Sequence, residues 1–342
     1  MGQRYTANVP SQRITPPEIF FFDRRKFLSA FGVGLLAAPL ASCTSAGAAQ
    51  RPQASVLDVP LRRPDVFPTE RNAAYEIPSA IDRKDLVPRD VAASHNNFYE
   101  FLSGRGGPVW QFCGDFEVEP WKVEITGECN NPMTLDLDDL FAFEHEERVY
   151  HFRCVERWAM NVPWSGFPLS RLIDRAAPTD RARFVRFTTV EKADQMPGLT
   201  SSPWYPWPYQ EGLRMDEAMN ELAMVVTGVY GEPLLRQHGS PIRIIVPWKY
   251  GYKNPKSIVK IEFVAEPPRT FWQVQAHEYG FISNINPNIP HPRWPQTTSF
   301  WLDTEEPFDT PIFNGYDQYV GELYSDEPRT PQRPLRQGEI AR

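Results

Sequence analysis

Residues 148–173 read RVYHFRCVERWAMNVPWSGFPLSRLI, and this stretch carries the strongest indications of both fold and function. Polar and apolar side chains alternate over residues 148–153, which predicts a strand that ends at Cys154. A helix is predicted over residues 168–176, because Pro168 fits the first turn of a helix, where its missing N–H loses no hydrogen bond. A cysteine at a strand end is either a buried structural residue or a metal ligand, and composition alone favours the structural role.

Two arginines beside Cys154 favour the metal-ligand role. Arg153 and Arg157 are expected to lower the pKa of an adjacent thiol and so to favour the thiolate, the form that binds a metal. Thiolate is a soft ligand that suits a redox-active metal rather than Ca²⁺ or Mg²⁺. The sequence has no zinc-spaced Cys/His set, no dinucleotide or P-loop glycine motif and no G-x-S-x-G, so zinc, nucleotide and serine-hydrolase functions have no support.

The patterns on either side of this stretch predict an α+β protein. Further strands are predicted over residues 121–126, 183–190, 241–247 and 257–265. Turn residues fill 127–132, a short helix is predicted over 134–143, a loop over 201–213, and mixed helix and strand over 215–226. Strands that alternate with short helices, together with 35 prolines, indicate mixed sheets with long packed loops.

The first 48 residues are typical of an export signal. Arg24 and Arg25 precede an apolar run over residues 27–40, about 14 residues long and too short to span a bilayer. The paired arginines fit the twin-arginine type, which exports folded proteins that often carry a cofactor; a membrane anchor or a chance pair are the alternatives. Cleavage is expected before Ala49, whereas Cys43 follows a lipobox-like Leu-Ala-Ser and offers an alternative lipid anchor.

Charge and cysteine content limit the function classes. Residues 1–48 carry a net charge of +3, so the net charge of −7 for the whole chain leaves about −10 on the remainder. An acidic body argues against nucleic acid as a partner. The remainder contains Cys113, Cys129 and Cys154, and an odd number leaves at least one thiol unpaired. We predict an extended lead-in over 49–93 and a single domain over 94–342.

At the level of motifs, residues 148–173 closely resemble the catalytic subunits of periplasmic protein-methionine-sulfoxide reductases. These are twin-arginine-exported molybdopterin enzymes of the sulfite-oxidase fold. The remaining matching stretches lie at residues 96–100, 195–198, 211–214, 239–243, 247–251, 278–281, 291–294 and 313–316. They occur in order over about residues 75–325, so the resemblance implies a sulfite-oxidase-type molybdopterin-binding fold and makes residues 94–342 the catalytic domain.

The resemblance also implies a set of site residues. Cys154 would coordinate molybdenum beside the two dithiolene sulfurs of one molybdopterin that carries no nucleotide. The implied pterin-holding residues are Asn96, Tyr99, Glu100 and Thr189, and those at the phosphate end are Arg243, Asn254, Pro255 and Lys256. A guanidinium, an ammonium and backbone N–H groups suit a phosphate. Taken singly, Arg243 could be a structural ion pair, Asn96 a turn residue and Thr189 a plain strand residue.

Two positions depart from the family pattern. His238 stands where similar proteins have Asn, although the wider sulfite-oxidase group often has His there. A neutral imidazole can still donate to the pterin or its phosphate, so His238 remains a binding candidate, with a buried core histidine as the alternative. Asn254-Pro255 replaces a pair that contains Gly, which removes one backbone donor from the expected phosphate cradle.

The implied reaction is reduction of methionine sulfoxide in periplasmic proteins by oxygen-atom transfer. The resemblance implies a membrane haem-b partner that oxidises quinol, and export through the twin-arginine translocase. The chain itself has no C-x-x-C-H haem motif, so electrons must come from a partner. The loop aromatics Trp204, Tyr205, Trp207 and Tyr209 could form an apolar rim for the substrate or pack as the core of their loop.

Two other functions compete with this one. The first is a sulfite oxidase, or a reductase of small sulfoxides or N-oxides, on the same fold. Arg-Cys-Val-Glu at residues 153–156 favours the protein reductase over the sulfite oxidases. The second is an exported β-rich binding protein without molybdenum, held by a disulfide such as Cys113–Cys129.

Overall fold

Two mixed β-sheets form the part of the chain that the computed structural model describes, residues 55–334. Helices are few and short, which confirms the predicted α+β class. The predicted export signal and Cys43 lie outside the described residues. None of the described helices is long and apolar enough to cross a membrane.

The larger sheet has seven strands and is centred on one long hairpin. β5 (Glu146–Arg153) pairs antiparallel with β6 (Trp158–Pro168), in a register that places Arg153 opposite Ala159. The sheet also contains β9 (Met224–Val229), β10 (Glu232–Pro233), β11 (Arg243–Ile245), β13 (Thr298–Trp301) and β14 (Pro307–Asp309). The strand predicted before Cys154 is therefore confirmed. β6 was not predicted, because ten of its eleven residues are buried and its sequence does not alternate.

The second sheet has five strands in the order β4-β3-β12-β7-β8. They are β3 (Lys122–Gly127), β4 (Met133–Asp136), β7 (Phe184–Thr189), β8 (Gln210–Arg214) and β12 (Ile258–Val264). β3 and β12 run parallel and the other pairs are antiparallel. The strands predicted over 121–126, 183–190 and 257–265 are confirmed, whereas only Arg243–Ile245 of the strand predicted over 241–247 is formed.

Two local predictions were wrong in part. Residues 134–136 belong to β4 rather than to a helix, and the helix α2 (Leu137–Phe141) begins only after Asp136 caps it through a capping box with Asp139. Residues 210–213 belong to β8 rather than to a loop, because they pair with β7. The helix α3 (Leu169–Ala176) follows Pro168 as expected. Residues 215–226 divide into the helix α5 (Met215–Ala218) and the start of β9.

The described chain also contains short elements outside the two sheets, among them several single-turn 3-10 helices. Also among them are α1 (Arg89–Ser94), the β1–β2 hairpin (Asn96–Phe98 and Leu102–Gly107), α4 (Pro197–Ser201) and α6 (Asp317–Val320). The described part of the lead-in packs on the body, where Gln237 Nε2 donates to Val56 O at 2.7 Å and Arg236 pairs with Asp58.

Candidate active site

One cavity contains most of the residues that the sequence predicts as a site. It has about 870 Å³ of empty space, its open mouth included. Its wall is built by β1 and the residues after it, the turn between β5 and β6, and the segment around residues 251–256. The predicted residues that line it are Asn96, Tyr99, Glu100, Cys154, His238, Arg243, Asn254, Pro255 and Lys256.

Thr189 is the one predicted site residue outside the cavity wall. It is the last residue of β7, and its hydroxyl donates to Glu100 Oε1 at 2.9 Å. Glu100 is only 2% exposed, and burial raises the pKa of its carboxyl to about 7. The structure therefore gives Thr189 a positioning role, in which it orients a wall residue.

Cys154 lies in the turn that joins β5 to β6. The turn is closed by bonds from Cys154 N to Trp158 O and from Arg157 N to Cys154 O, both 3.0 Å, and Arg157 adopts a positive φ of 84°. The side-chain amide of Asn97 lies 3.4 Å from Cys154 Sγ. The thiol is free, as are those of Cys113 and Cys129, so the disulfide of the competing binding-protein alternative is not formed. Cys154 is thus a reduced side chain in the wall of a cavity.

The pKa of the Cys154 thiol is not lowered overall, although Arg153 acts on it in the expected direction. Burial raises the pKa of the Cys154 thiol, the Glu156 carboxylate raises it further, and the opposing effect of Arg153 is smaller. The Arg157 guanidinium is engaged elsewhere, since its Nε donates to Thr298 O at 2.9 Å. Arg153 instead fixes the turn, because its Nη1 donates to Cys154 O and to Gln296 Oε1.

Two cations line the cavity without an ion pair to a carboxylate among the described residues: Arg243 is buried and Lys256 is half-buried. Arg243 donates through Nη1 to His238 O at 2.8 Å, and its Nε has no partner among the described residues. Lys256 donates only to backbone carbonyls, with Asn97 O at 2.5 Å. Burial lowers the pKa of Arg243 to about 9 and that of Lys256 well below its usual value. An anion bound between these groups would compensate both charges.

The residues present fit a molybdopterin. Two uncompensated cations suit its phosphate, and buried polar atoms without partners remain in the wall, among them Asn96 Oδ1 and His238 Nδ1. Within residues 55–334 there is no group of three or more His, Cys, Asp or Glu side chains that could hold a metal. A metal at Cys154 would therefore take its remaining ligands from a cofactor, which is what a dithiolene provides.

The departures from the family pattern have a structural explanation. His238 Nε2 lies 3.2 Å from Ala92 O and must carry the proton, because a carbonyl only accepts. Burial lowers the pKa of His238 to about 3, so the ring is neutral and its unpartnered Nδ1 is an acceptor. In this tautomer the ring donates to Ala92 O, and the role of His238 toward a cofactor stays a prediction. The Asn254 N–H is equally unavailable as a phosphate donor, because it is bonded to Gly251 O.

The predicted loop aromatics serve in part as rim and in part as core. Tyr209 lines the cavity, and Trp204 is 52% exposed. Tyr205 and Trp207 pack on Phe271, which is loop-core packing. Several other lining residues were not predicted, although three of them lie in family-like stretches: Asn97, Glu156 and Tyr279; Trp272 lies outside those stretches.

Comparison with known proteins is consistent with this site. Residues 111–272 match the family described as oxidoreductase molybdopterin binding domain. The protein-methionine-sulfoxide reductase catalytic subunit MsrP of Burkholderia mallei is 42% identical over 332 residues, which cover 93% of each chain. The MsrP of Pseudomonas syringae pv. tomato is 41% identical and covers 94% of this chain and 96% of its own. This chain therefore belongs to the family of protein-methionine-sulfoxide reductase catalytic subunits.

Proposed function

We propose that this protein reduces methionine sulfoxide side chains in exported proteins by oxygen-atom transfer. One observation carries the proposal: the free thiol of Cys154 lies in the wall of a cavity that also holds two cations, the buried Arg243 and the half-buried Lys256, neither of which forms an ion pair with a carboxylate among the described residues. Such a cavity suits an anionic metal cofactor, and the relatives that share the whole chain are named for this activity.

The cofactor in this proposal is one molybdenum held by one molybdopterin without a nucleotide. Bound there, it supplies two-electron oxygen-atom transfer, which no side chain can perform. Cys154 is the protein ligand, and Arg243 and Lys256 hold the phosphate. Asn96, Tyr99, Glu100 and His238 contact the pterin, and Thr189 acts through Glu100.

The chain's own groups hold the reacting centre in place. The side-chain amide of Asn97, 3.4 Å from Cys154 Sγ, orients the sulfur. Arg153 holds the backbone of the same residue, because its Nη1 donates to Cys154 O. Apolar side chains such as Val155, Trp158 and Trp272 line the cavity beside the thiol. They restrict water around the sulfur, which favours a substrate with an apolar side chain such as methionine sulfoxide.

The partners follow from the same proposal. The twin-arginine translocase carries the folded protein to the periplasm, with the signal cleaved before Ala49 or the chain anchored at Cys43. A membrane haem-b subunit that oxidises quinol delivers the electrons, and oxidised periplasmic proteins are the substrates. Nucleic acid is no partner. The paired arginines of the signal, the missing haem motif and the acidic body support these assignments.

Elemental analysis and a serine variant test the proposal. The purified full-length protein should contain one molybdenum per chain and reduce protein-bound methionine sulfoxide. Cys154→Ser should lose at least about a hundredfold in kcat, because the metal loses its protein ligand. Cys129→Ser is the matched control, because Cys129 does not line the cavity and should keep parental metal content and activity. Full activity in Cys154→Ser, or faster turnover of sulfite than of methionine sulfoxide by the parent, would refute the proposal.

A further inference from the structure

Arg293 presents a fixed, half-exposed guanidinium beside the cavity. Its side chain is 50% exposed, and one edge is held by Glu278, with Arg293 Nε to Glu278 Oε2 at 2.6 Å. Arg293 Nη2 also donates to Gln275 Oε1 at 3.2 Å. Among the described residues Nη1 has no hydrogen-bond partner, so the outer edge of the guanidinium is free to donate.

The same guanidinium lies close to the residues around Cys154. Its charge acts on the phenols of Tyr279 and Tyr99, and both rings line the cavity. Tyr279 and Tyr99 share the cavity wall with Cys154, and Tyr279 packs edge-on against His291, two residues before Arg293, with ring centroids 5.5 Å apart. Tyr205 is the third phenol near Arg293, and it packs on Tyr99 with ring centroids 5.6 Å apart.

The electrostatics favour a neutral dipolar ligand over an anion. Arg293 is already paired with Glu278, and a second carboxylate, Glu156, lines the cavity. With Arg243 and Lys256 occupied by the cofactor's phosphate in the proposed function, Arg293, Glu278 and Glu156 leave no net positive charge for a dianion such as sulfite. A sulfoxide has a polar S–O oxygen that accepts hydrogen bonds and an otherwise apolar side chain, which suits a fixed donor surrounded by aromatic rings.

We propose that Arg293 binds the substrate, with its free edge donating to the sulfoxide oxygen of a methionine sulfoxide whose apolar part packs on Tyr205 and Tyr279. This site rests on the proposed function and specifies its substrate contact. Arg293 thereby selects sulfoxides from anionic sulfur compounds and holds the S–O group toward Cys154.

Kinetics of the cofactor-loaded enzyme with N-acetylmethionine sulfoxide test this role. Arg293→Met should raise KM about tenfold or more and leave kcat within about twofold, because a binding contact is lost and the reacting centre is not. Arg293→Lys keeps the charge but lacks the planar fork, and should raise KM by a similar factor. The dissociation constant of the same compound for oxidised enzyme, which cannot turn over, should rise in parallel.

Arg105→Met is the matched control. Arg105 is an exposed cation that stacks on Trp294 at 4.9 Å, next to Arg293 in the chain. It should keep the parental KM, and an equal rise in KM would show a general effect of charge and overturn the proposal. Unchanged KM in both Arg293 variants, while the parent reduces the sulfoxide, would overturn this inference alone. A parent that reduces no methionine sulfoxide would refute the proposed function, and this inference with it.

Discussion

At the scale of one residue, the buried and unpaired charge of Arg243 is expected to destabilise the folded protein when no ligand is bound. The side chain is 3% exposed, makes one hydrogen bond to a carbonyl and has no carboxylate in contact. A buried charge without a partner lowers the free energy of unfolding. Replacing such a residue by an apolar one of similar size often raises the free energy of unfolding again. The arginine is therefore explained by a ligand rather than by folding.

We expect Arg243→Met to separate these two roles. In the cofactor-free protein the free energy of unfolding should stay the same or rise by about 1–3 kcal/mol, because the uncompensated charge is removed. Molybdenum content after purification should fall severalfold. Urea unfolding and elemental analysis measure the two effects.

Arg186→Met is the control for Arg243→Met, since Arg186 pairs with Glu262 across two strands and is partly exposed. Its loss should cost up to about 1 kcal/mol and leave molybdenum content unchanged. A cofactor-free Arg243→Met protein less stable than the Arg186→Met protein would contradict the ligand-based explanation.

At the scale of elements, the turn after the short helix Arg236–His238 lies beside Lys256, one of the two residues proposed to hold the cofactor's phosphate. Gly239 adopts a positive φ of 98°, and a Cβ added there would lie 2.6 Å from Lys256 Cβ. The absence of a side chain lets the turn pack directly on the segment that carries Lys256. Both the conformation and the contact require glycine.

We expect Gly239→Ala to lower the free energy of unfolding by about 2–4 kcal/mol and to reduce molybdenum content, because backbone strain adds to displacement of Lys256. Gly104→Ala separates the two causes, since Gly104 has φ 116° but nothing within 4 Å of an added Cβ. Gly104→Ala should lower the free energy of unfolding by only about 1–2 kcal/mol, because alanine is strained in the left-handed conformation, and it should leave the molybdenum content unchanged. Equal losses in the two variants would show that the Lys256 contact is unimportant.

The elements also show how far the sequence could predict this structure. β7 was predictable because alternate residues along it are less buried, and β5 because polar and apolar residues alternate in its sequence, although all but its first residue are buried. β6 was not, since nearly every residue in it is buried and its pattern has no period. β4 was mistaken for a helix because Asp136 and Asp139 are typical of a helix start, and their capping box indeed begins α2 one residue later.

The sequence was sufficient to predict many of the residues that line the cavity, but not which hydrogen bonds they make or how their pKa values are shifted. The motif around Cys154 led to the cavity, whereas the direction of its pKa depends on burial that no motif encodes. Whether His238 accepts or donates depends on the carbonyl of Ala92, 146 residues away along the chain. Such pairings arise only once the two sheets and their loops have packed.

At the scale of the whole molecule, histidine burial makes stability depend on pH. Five of the six histidines have pKa values lowered by burial, and His151, His238 and His291 reach about 4, 3 and 4. Below pH about 6.5 the histidines of the unfolded chain become protonated, whereas those of the folded chain stay neutral until the pH reaches their lowered pKa values. The free energy of unfolding therefore falls as the pH falls. Glu100 has the opposite effect on stability. Because its pKa in the folded state is raised to about 7, the folded state becomes protonated at a higher pH than the unfolded state, which stabilises the fold as the pH falls.

His151 should account for a measurable share of this acid sensitivity. It is 0% exposed, its Nδ1 is bonded to Asn161 at 2.8 Å, and its pKa is lowered to about 4. A shift from 6.5 to about 4 corresponds to roughly 3 kcal/mol of stability, fully present above pH 6.5 and lost as the pH falls toward 4. Urea unfolding of the cofactor-free protein at several pH values should show this decline.

His151→Gln should be less stable than the parent at pH 7, but the difference should shrink toward pH 4, because glutamine takes up no proton in either state. Parallel curves for the two proteins would mean that His151 takes up its proton as readily in the folded state as in the unfolded state, and that burial around the central hairpin does not lower its pKa.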